Sequence, residues 1–473
     1  MNITRAIRTL GLSAAVTATS LFAPAAVDKV ALRMGFETSF TAKAFAQAKK
    51  KQNRKLPGLK EKVLKQIGKV EDLVSPDIEK NPKAQPNFAE ALKELAKLLK
   101  DCKGKCNKYE LSTAYRYYGY IYASMDNMGK AIEYYDKVVA QSPDIPVGVE
   151  LEALYLLAQL TYQRERYEDS LKYLNGWINL STVVGADVIF LRASIKYAKD
   201  DRRGSLQDTT KAIDMTEANG RVAKEQWYGL QRALLLEKED YRGALPVLEK
   251  LVRHYPKIDY WSQLSSTFGL LNKELDQLHS LDAVNVMGGL TSRQNTVNLT
   301  YLYLDQGVPY KAARVLEKGI SSKAVEKKVK YLRVLAAAWR NAKESKKAIS
   351  VLKEAAALAV KEDAAGKDEK KYKAEEGNIY ADLTGLFLDV DDSKGAIAAG
   401  KNALKVGSLK SEGEVHTNMG IAYVDLEQYK SAVGSFQKAM EDKKFARFAE
   451  SWLKHANQQQ ARKEQLERSL ARS

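Results

Sequence analysis

The sequence has few of the residues on which most catalytic and metal sites depend. Its 473 residues include two cysteines and four histidines, and no second histidine stands at metal-binding spacing from any of the four. A structural zinc site needs about four nitrogen or sulfur ligands, and the histidine nearest in sequence to the cysteines is His254. No glycine-rich phosphate loop and no nucleophile elbow occurs. The sequence therefore predicts a protein that is not an enzyme and that binds no cofactor and no metal.

Apolar runs are also scarce, and the one charge-free stretch lies near the start, from Leu10 to Val27, after two arginines. A positive start, an apolar stretch and an A-x-A pattern at 44–46 predict a signal peptide over residues 1–46, with 23–25 as a second cleavage candidate. The expected location is the periplasm. The alternative is an uncleaved anchor in the inner membrane that faces the periplasm, since the stretch is barely long enough for a bilayer span. No other segment is long and apolar enough, so we expect no stable membrane insertion of the mature chain.

The positive charge is concentrated at the two ends of the chain. The formal net charge is +17, yet residues 43–69 hold ten Lys or Arg and one acid, and residues 443–473 hold eight Lys or Arg and three acids. The middle is nearly balanced. Basic tails are usually solvated, so the sequence predicts no nucleic-acid partner. Binding of an anionic polymer through the basic ends stays open as an alternative, and it would weaken steeply with salt.

The two cysteines, Cys102 and Cys106, stand close together on either side of Gly104. In an oxidising compartment such an even pair can form a small disulfide. Glycine would permit the tight turn that the bridge requires. Two unpaired thiols are the alternative.

An internal repeat dominates the rest of the sequence. Units start near 112, 151, 186, 225, 258, 293, 329, 377 and 413, and the first residue of each unit is numbered position 1 below. Small residues recur at positions 8 and 20, always twelve residues apart, and eight of nine are small in each series. Position 8 holds Gly119, Ala158, Ala193, Arg232, Ser265, Thr300, Ala336, Thr384 and Gly420. Position 20 holds Ala131, Ser170, Ser205, Ala244, Gln277, Ala312, Ala348, Ala396 and Ala432.

Position 24 is mostly large, as in Tyr135 and Phe436. This pattern predicts two crossed helices per unit, with small residues where the backbones approach and a bulky side chain beside them. Before the repeats, 59–74 and 88–99 read as two amphipathic helices. After them, 445–470 reads as one long helix. The charged insertion 361–376 is either a helix extension or a mobile loop.

The predicted fold is therefore all-α: a right-handed α-solenoid of about nine to ten helix-turn-helix units with a C-terminal capping helix. The expected organisation is a signal peptide and four further segments. Those are a basic segment with a degenerate helical pair over 47–111, N-terminal units over 112–292, C-terminal units over 293–442, and the capping helix with a polar tail over 443–473. The fifth unit is the weakest, because Gln277 occupies its small position.

The surface most suited to a partner is formed by positions 2, 5, 9 and 12 of the first helices, which would line a concave face. Tyr and Arg are enriched in binding hot spots, so an extended peptide or a partner helix would fit there. The alternative is that several of these side chains pack between neighbouring helices. The candidate residues are Arg116, Tyr120, Tyr155, Gln159, Tyr162, Phe190, Tyr197, Tyr301, Arg333 and Arg340.

Residues 112–440 resemble the tetratricopeptide repeat (TPR) family in this pattern of small and large positions. A narrower resemblance, to periplasmic TPR proteins of Gram-negative bacteria, is carried by AYRYYGYIY (114–122), YWSQL (260–264) and NLTYLYLDQGVPYKAARVLEKG (298–319). The genes of such proteins often lie beside those for TonB, ExbB and ExbD. The resemblance implies a periplasmic protein-binding scaffold that serves TonB-dependent outer-membrane transport. The alternative is an envelope assembly factor, in polysaccharide export or outer-membrane assembly. Neither the pattern nor the resemblance fixes the oligomeric state.

Overall fold

A computed structural model describes residue 54 and residues 58–76, 85–364 and 369–470. The expected signal peptide lies outside the described residues. The chain divides into two compact units, one that ends at Tyr255 and one that begins at Pro256. We call them the first unit and the second unit. This division falls one repeat before the 292/293 boundary expected from the sequence, because Ile258 and Trp261 of the fifth repeat pack on the core of the second unit.

The described part of the chain is built from helices and contains no strand. The helices of the first unit are α1 (Glu61–Val74), α2 (Phe88–Asp101), α3 (Lys108–Ser124), α4 (Met128–Val139), α5 (Val147–Gln163), α6 (Tyr167–Leu180), α7 (Ala186–Ala198), α8 (Arg202–Glu217), α9 (Glu225–Glu237) and α10 (Tyr241–His254). The helices of the second unit are α11 (Ile258–Leu270), α12 (Glu274–Val286), α13 (Arg293–Asp305), α14 (Pro309–Ser321), α15 (Val329–Asn341), α16 (Ser345–Ala364), α17 (Glu369–Leu388), α18 (Ser393–Val406), α19 (Glu412–Asp425), α20 (Tyr429–Ala439) and α21 (Ala446–Leu470).

Each odd-numbered helix up to α19 packs on the helix that follows it, which gives ten helical pairs within the described residues, followed by the single helix α21. The predicted all-α fold of nine to ten helical units with a terminal helix is confirmed. The degenerate first pair and the terminal helix begin and end within two residues of the expected bounds. The insertion after residue 361 extends two helices, since α16 and α17 run for 20 residues each.

One backbone turn recurs in all nine repeats and fixes their register. The residue at position 15 has a positive φ in every repeat, although only Gly307 is a glycine. The amide that follows it, at position 16, donates to the carbonyl at position 11 over 2.8 to 2.9 Å in each repeat. This is the hydrogen-bond pattern that closes a helix with a left-handed residue. In several repeats an aspartate at position 16 then caps the second helix, as Asp201, Asp240 and Asp392 do.

The contacts between the two helices of a pair explain the small and large positions. A Cβ on Gly119 would lie 2.8 Å from the Tyr135 ring, and one on Gly420 would lie 2.5 Å from the Phe436 ring. The large residue at position 24 therefore covers the small residue at position 8. In another repeat, the position-20 hydroxyl of Ser170 donates to the position-8 carbonyl of Ala158 over 2.6 Å.

The fifth repeat accommodates the large Gln277 at position 20 through a glycine, Gly269, on the facing helix. The amide of Gln277 lies over Gly269, where a Cβ would stand 2.8 Å from the Gln277 nitrogen. The position-8 hydroxyl of Ser265 still donates to the Gln277 carbonyl over 3.1 Å. Space lost at position 20 is thus regained at position 12, and α11 packs on α12 as in the other pairs.

Candidate functional site

An ion pair joins α3 and α5, the first helices of the first two repeats, on the predicted contact surface of the first unit. Arg116 of α3 lies 3.2 Å from Glu152 of α5, and their side chains are 23% and 14% exposed. Glu152 raises the pKa of Arg116. Burial raises the pKa of Glu152 in spite of the opposing effect of the guanidinium. Tyr120, one turn further along α3, is half-buried. The pair leaves Arg116 with little charge to offer a partner.

Two of the predicted contact residues belong to the core instead. Tyr155 is 8% exposed and its ring centroid lies 6.0 Å from that of Trp177. Burial raises the pKa of Tyr155 to about 12. Gln159, one turn further along α5, is fully buried. The spacing of repeat positions gives the direction of a side chain but not the depth of its neighbours, so the expectation that these two residues meet a partner is corrected.

The other three aromatic residues of this face are only partly covered. Tyr162 packs against Tyr167 with 5.8 Å between ring centroids. Phe190 stacks on Trp227, which is buried, with 5.1 Å between centroids and 20° between ring planes.

Tyr197 lies in a charged setting near the end of α7. The Arg202 guanidinium lies 4.1 Å from its ring centroid. Its hydroxyl donates to Glu237 over 3.3 Å. Burial raises the pKa of this hydroxyl, and the Glu237 charge adds to the effect.

Gly229 marks open space on the same side of the first helices. It occupies position 5 of its repeat, the position that Phe190 occupies one repeat earlier. A Cβ built on Gly229 would meet no heavy atom within 4 Å. A glycine in the middle of a helix costs about 1 kcal/mol relative to alanine. The face is therefore unfilled at Gly229, two residues along α9 from the Trp227 on which Phe190 stacks.

The predicted residues of the second unit are paired or exposed. Tyr301 on α13 is 45% exposed. Arg333 and Arg340, two turns apart on α15, donate to Asp382 and Asp389 on α17 over 2.9 and 3.0 Å. A Cβ on Gly385 would lie 3.2 Å from the Arg340 guanidinium, so the glycine leaves room for that side chain. The two ion pairs join consecutive first helices, and the sequence did not indicate them because the insertion lengthens the intervening repeat.

A charged cluster in the third repeat was also missed. Asp208, which is 5% exposed, lies 2.7 Å from both Arg192 and Lys196. Burial raises the pKa of Asp208, but hydrogen bonds from Arg192 and Lys196 lower it more, and the net shift is downward. These residues occupy positions 7, 11 and 23, which most other repeats fill with apolar or aromatic residues. That departure was the available signal.

The segment before α1 docks on the helices that follow. Arg54 donates to the Ile145 carbonyl over 2.9 Å and to the Glu150 carboxylate over 2.7 Å. Arg54, at least, is therefore packed against the first unit, although the basic N-terminal region was expected to be solvated.

The two cysteines are also joined. Cys102 and Cys106 form a disulfide with an S–S distance of 2.06 Å.

Metal-binding and membrane-spanning features are absent from the described ranges. No group of three or more His, Cys, Asp or Glu side chains is arranged to hold a metal ion there. None of the helices in the described ranges combines the length and the apolar character needed to cross a bilayer.

The recurrent turn, the helical pairs and the small-to-large contacts define an all-α repeat fold with two helices per unit. No family model and no curated protein matches the chain. Several solved structures of tetratricopeptide repeat proteins are similar to it in fold. A TPR protein from Parabacteroides merdae is 11% identical and covers 56% of this chain and 98% of its own, with a TM-score of 0.32. YrrB, described as a TPR protein with an unusual peptide-binding site, is 13% identical over 40% of this chain and 90% of its own, with a TM-score of 0.31. The P58(IPK) TPR domain is 13% identical over 85% of this chain and 99% of its own, with a TM-score of 0.23.

Proposed function

We propose that this chain is a non-catalytic scaffold that holds an extended segment of a partner protein on the first helices of the first unit. The observation that carries the proposal is the open space at Gly229 together with the aromatic stack of Phe190 on Trp227. A glycine that leaves a helix face unfilled provides room for a side chain from outside. Aromatic side chains with one covered face offer large contact area at low entropic cost.

Charge on this face favours a partner segment with both polar and apolar residues. Arg116, Asp187 and Lys224 already have partners in the chain. The Tyr197 hydroxyl and the Arg202 guanidinium lie at the edge of the aromatic residues, with Glu237 beside both. An extended segment would therefore place an apolar side chain near Gly229 and polar groups toward Tyr197.

Filling the space tests this proposal directly. Peptides selected by display against the full chain would be measured for affinity by fluorescence anisotropy. We expect Gly229→Leu to weaken binding at least tenfold, because leucine occupies the space that the partner needs. Gly434→Leu is the matched control, since Gly434 is also a helical glycine with no heavy atom within 4 Å of its Cβ position. Equal affinity of both variants and the unchanged protein would reject the site.

We also propose that the scaffold works in the periplasm and serves TonB-dependent transport. Support comes from the charge-free stretch near the start, from the resemblance to periplasmic TPR proteins, and from the cysteine pair, since disulfides persist in oxidising compartments. Capture of the full chain with its bound proteins from an envelope extract should recover TonB, ExbB or ExbD components. Recovery of polysaccharide-export or outer-membrane assembly proteins in their place would favour the alternative scaffold role.

A further inference from the structure

The residues just before α1 form hydrogen bonds at a point where the disulfide loop meets the start of α3. Lys60, the residue before α1, donates its backbone amide to the Glu110 carboxylate over 2.8 Å. Its ammonium group donates to the Lys105 carbonyl inside the disulfide loop. The Asn107 side chain donates to the Gly58 carbonyl over 3.2 Å. We call these contacts of residues 58–60 with Lys105, Asn107 and Glu110 the clasp.

Glu110 is the centre of the clasp and is fully buried. One carboxylate oxygen accepts from the Asn107 backbone amide over 2.9 Å, while the Asn107 side chain accepts from the Glu110 amide over 2.9 Å. This reciprocal arrangement is a capping box at the start of α3. The Lys60 backbone amide donates to the other carboxylate oxygen. The start of α1 is therefore bound to the cap of α3.

The disulfide sets the position of that cap. Cys102 ends α2 and is 4% exposed, so it is a fixed point in the core. Cys106 directly precedes Asn107, and the disulfide closes the loop between them. The Lys105 carbonyl and the Asn107 side chain, which hold residues 58–60, both lie at the end of this loop.

We propose that the Cys102–Cys106 disulfide is a redox switch that controls whether α1 is held on the first unit. A dithiol would open it by exchange: its two sulfurs form their own disulfide, and its two electrons and two protons pass to the cysteine sulfurs, which become thiols. The loop end is then free to move, and the clasp loses the Lys105 acceptor and the Asn107 donor together. The helix α1 keeps its apolar side, with Val63, Ile67 and Val70 against α2 and α3, and the polar contacts of Lys62 and Gln66 with α2.

Hydrogen exchange read by mass spectrometry on the full chain tests the switch, before and after treatment with dithiothreitol and again after reoxidation. We expect amides of α1 to exchange at least tenfold faster when the disulfide is open, to recover on reoxidation, and α5 to α9 to stay unchanged. Unchanged exchange in α1, or faster exchange spread evenly over the first unit, would overturn the proposal.

Two variants separate the clasp from general loss of structure. The variant C102S/C106S should show fast exchange in α1 without dithiothreitol and no response to it. Glu110→Gln weakens the clasp while the disulfide stays closed, so it should also speed exchange in α1, and opening the disulfide should then add little. If the effects of Glu110→Gln and of reduction on the exchange free energy simply add, the disulfide does not act through the clasp, and the proposal fails.

Discussion

Gly119 lies beneath Tyr135, so close that a Cβ on the glycine would stand 2.8 Å from the tyrosine ring. The two residues are the small and the large member of one repeat, on α3 and α4. Tyr135 is 1% exposed, so the ring has little room to move away. Gly420 and Phe436 repeat this relationship on α19 and α20.

The first prediction concerns that contact. Gly119→Ala should destabilise the protein by about 1–3 kcal/mol, because an added methyl group in a well-packed contact forces a shift of the ring or the helix. The measurement is the midpoint of urea unfolding followed by circular dichroism. Gly68→Ala is the control, since a Cβ there meets nothing within 4 Å. That change should stabilise α1 by about 0.5–1 kcal/mol through helix propensity. Equal loss in both variants would contradict the account of the repeat contact.

The sequence was sufficient to predict this contact, because residues a fixed distance apart in nine repeats must meet in the same way. It was not sufficient for features that depend on two repeats at once. The burial of Gln159 depends on what its neighbours place over it. The pairing of Arg333 with Asp382 depends on the lengthened α16 and α17, which change the spacing between first helices.

The space for Gln277 shows the same limit within one repeat. The sequence marks Gln277 as a departure, but the compensation lies at Gly269, a position that carries no rule of its own. The clasp was also outside the pattern, because the segment before α1 belongs to no repeat. Pair contacts could therefore be predicted from the sequence, whereas contacts between repeats and with the N-terminal segment could not.

The second prediction concerns Asp208. Asp208→Asn should destabilise the first unit by about 3 kcal/mol, because it leaves Arg192 and Lys196 without their anion in a largely buried site. Asp169→Asn is the control. Asp169 pairs with Arg166 at the surface, and both side chains are at least 40% exposed, so that change should cost less than about 1 kcal/mol. Thermal unfolding of the two variants at neutral pH gives the comparison. Similar losses would show that burial does not set the strength of the Asp208 cluster.

The third prediction concerns the loss of stability at low pH that follows from protonation of Asp208. The pKa of Asp208 is lowered in the folded protein from the ordinary value of 3.8. Its stabilising contribution is therefore present above about pH 4 and is lost as the pH falls below 4 through the folded pKa, because the unfolded chain takes up the proton first. Unfolding midpoints measured between pH 6 and pH 3 should fall less steeply for Asp208→Asn than for the unchanged chain. Parallel curves would contradict this assignment.

The fourth prediction is a loss of stability in alkali. Burial raises the pKa of Tyr118, and of Tyr155, to about 12. The unfolded chain releases these protons near pH 10, so stability is intact below pH 10 and is lost as the pH rises through 12. Between those two pKa values each tyrosine lowers the free energy of unfolding by roughly 1.4 kcal/mol per pH unit. Tyrosinate absorbance during a pH titration should show a late group of tyrosines. The variant Tyr118→Phe should reduce the slope of stability against pH. An unchanged slope would mean that this tyrosine ionises alike in both states.

The central claim is that a partner segment lies on the first helices of the first unit, beside Phe190. Site-specific photo-crosslinking tests it most directly, with a photoreactive amino acid in place of Tyr162 or Tyr197 and a display-selected peptide as the ligand. The control carries the same photoreactive amino acid at position 310, where Tyr310 is 50% exposed in the second unit. We expect peptide adducts from positions 162 and 197, abolished by excess unlabelled peptide, and none from position 310. Adducts from position 310 alone, or from all three positions equally, would contradict it.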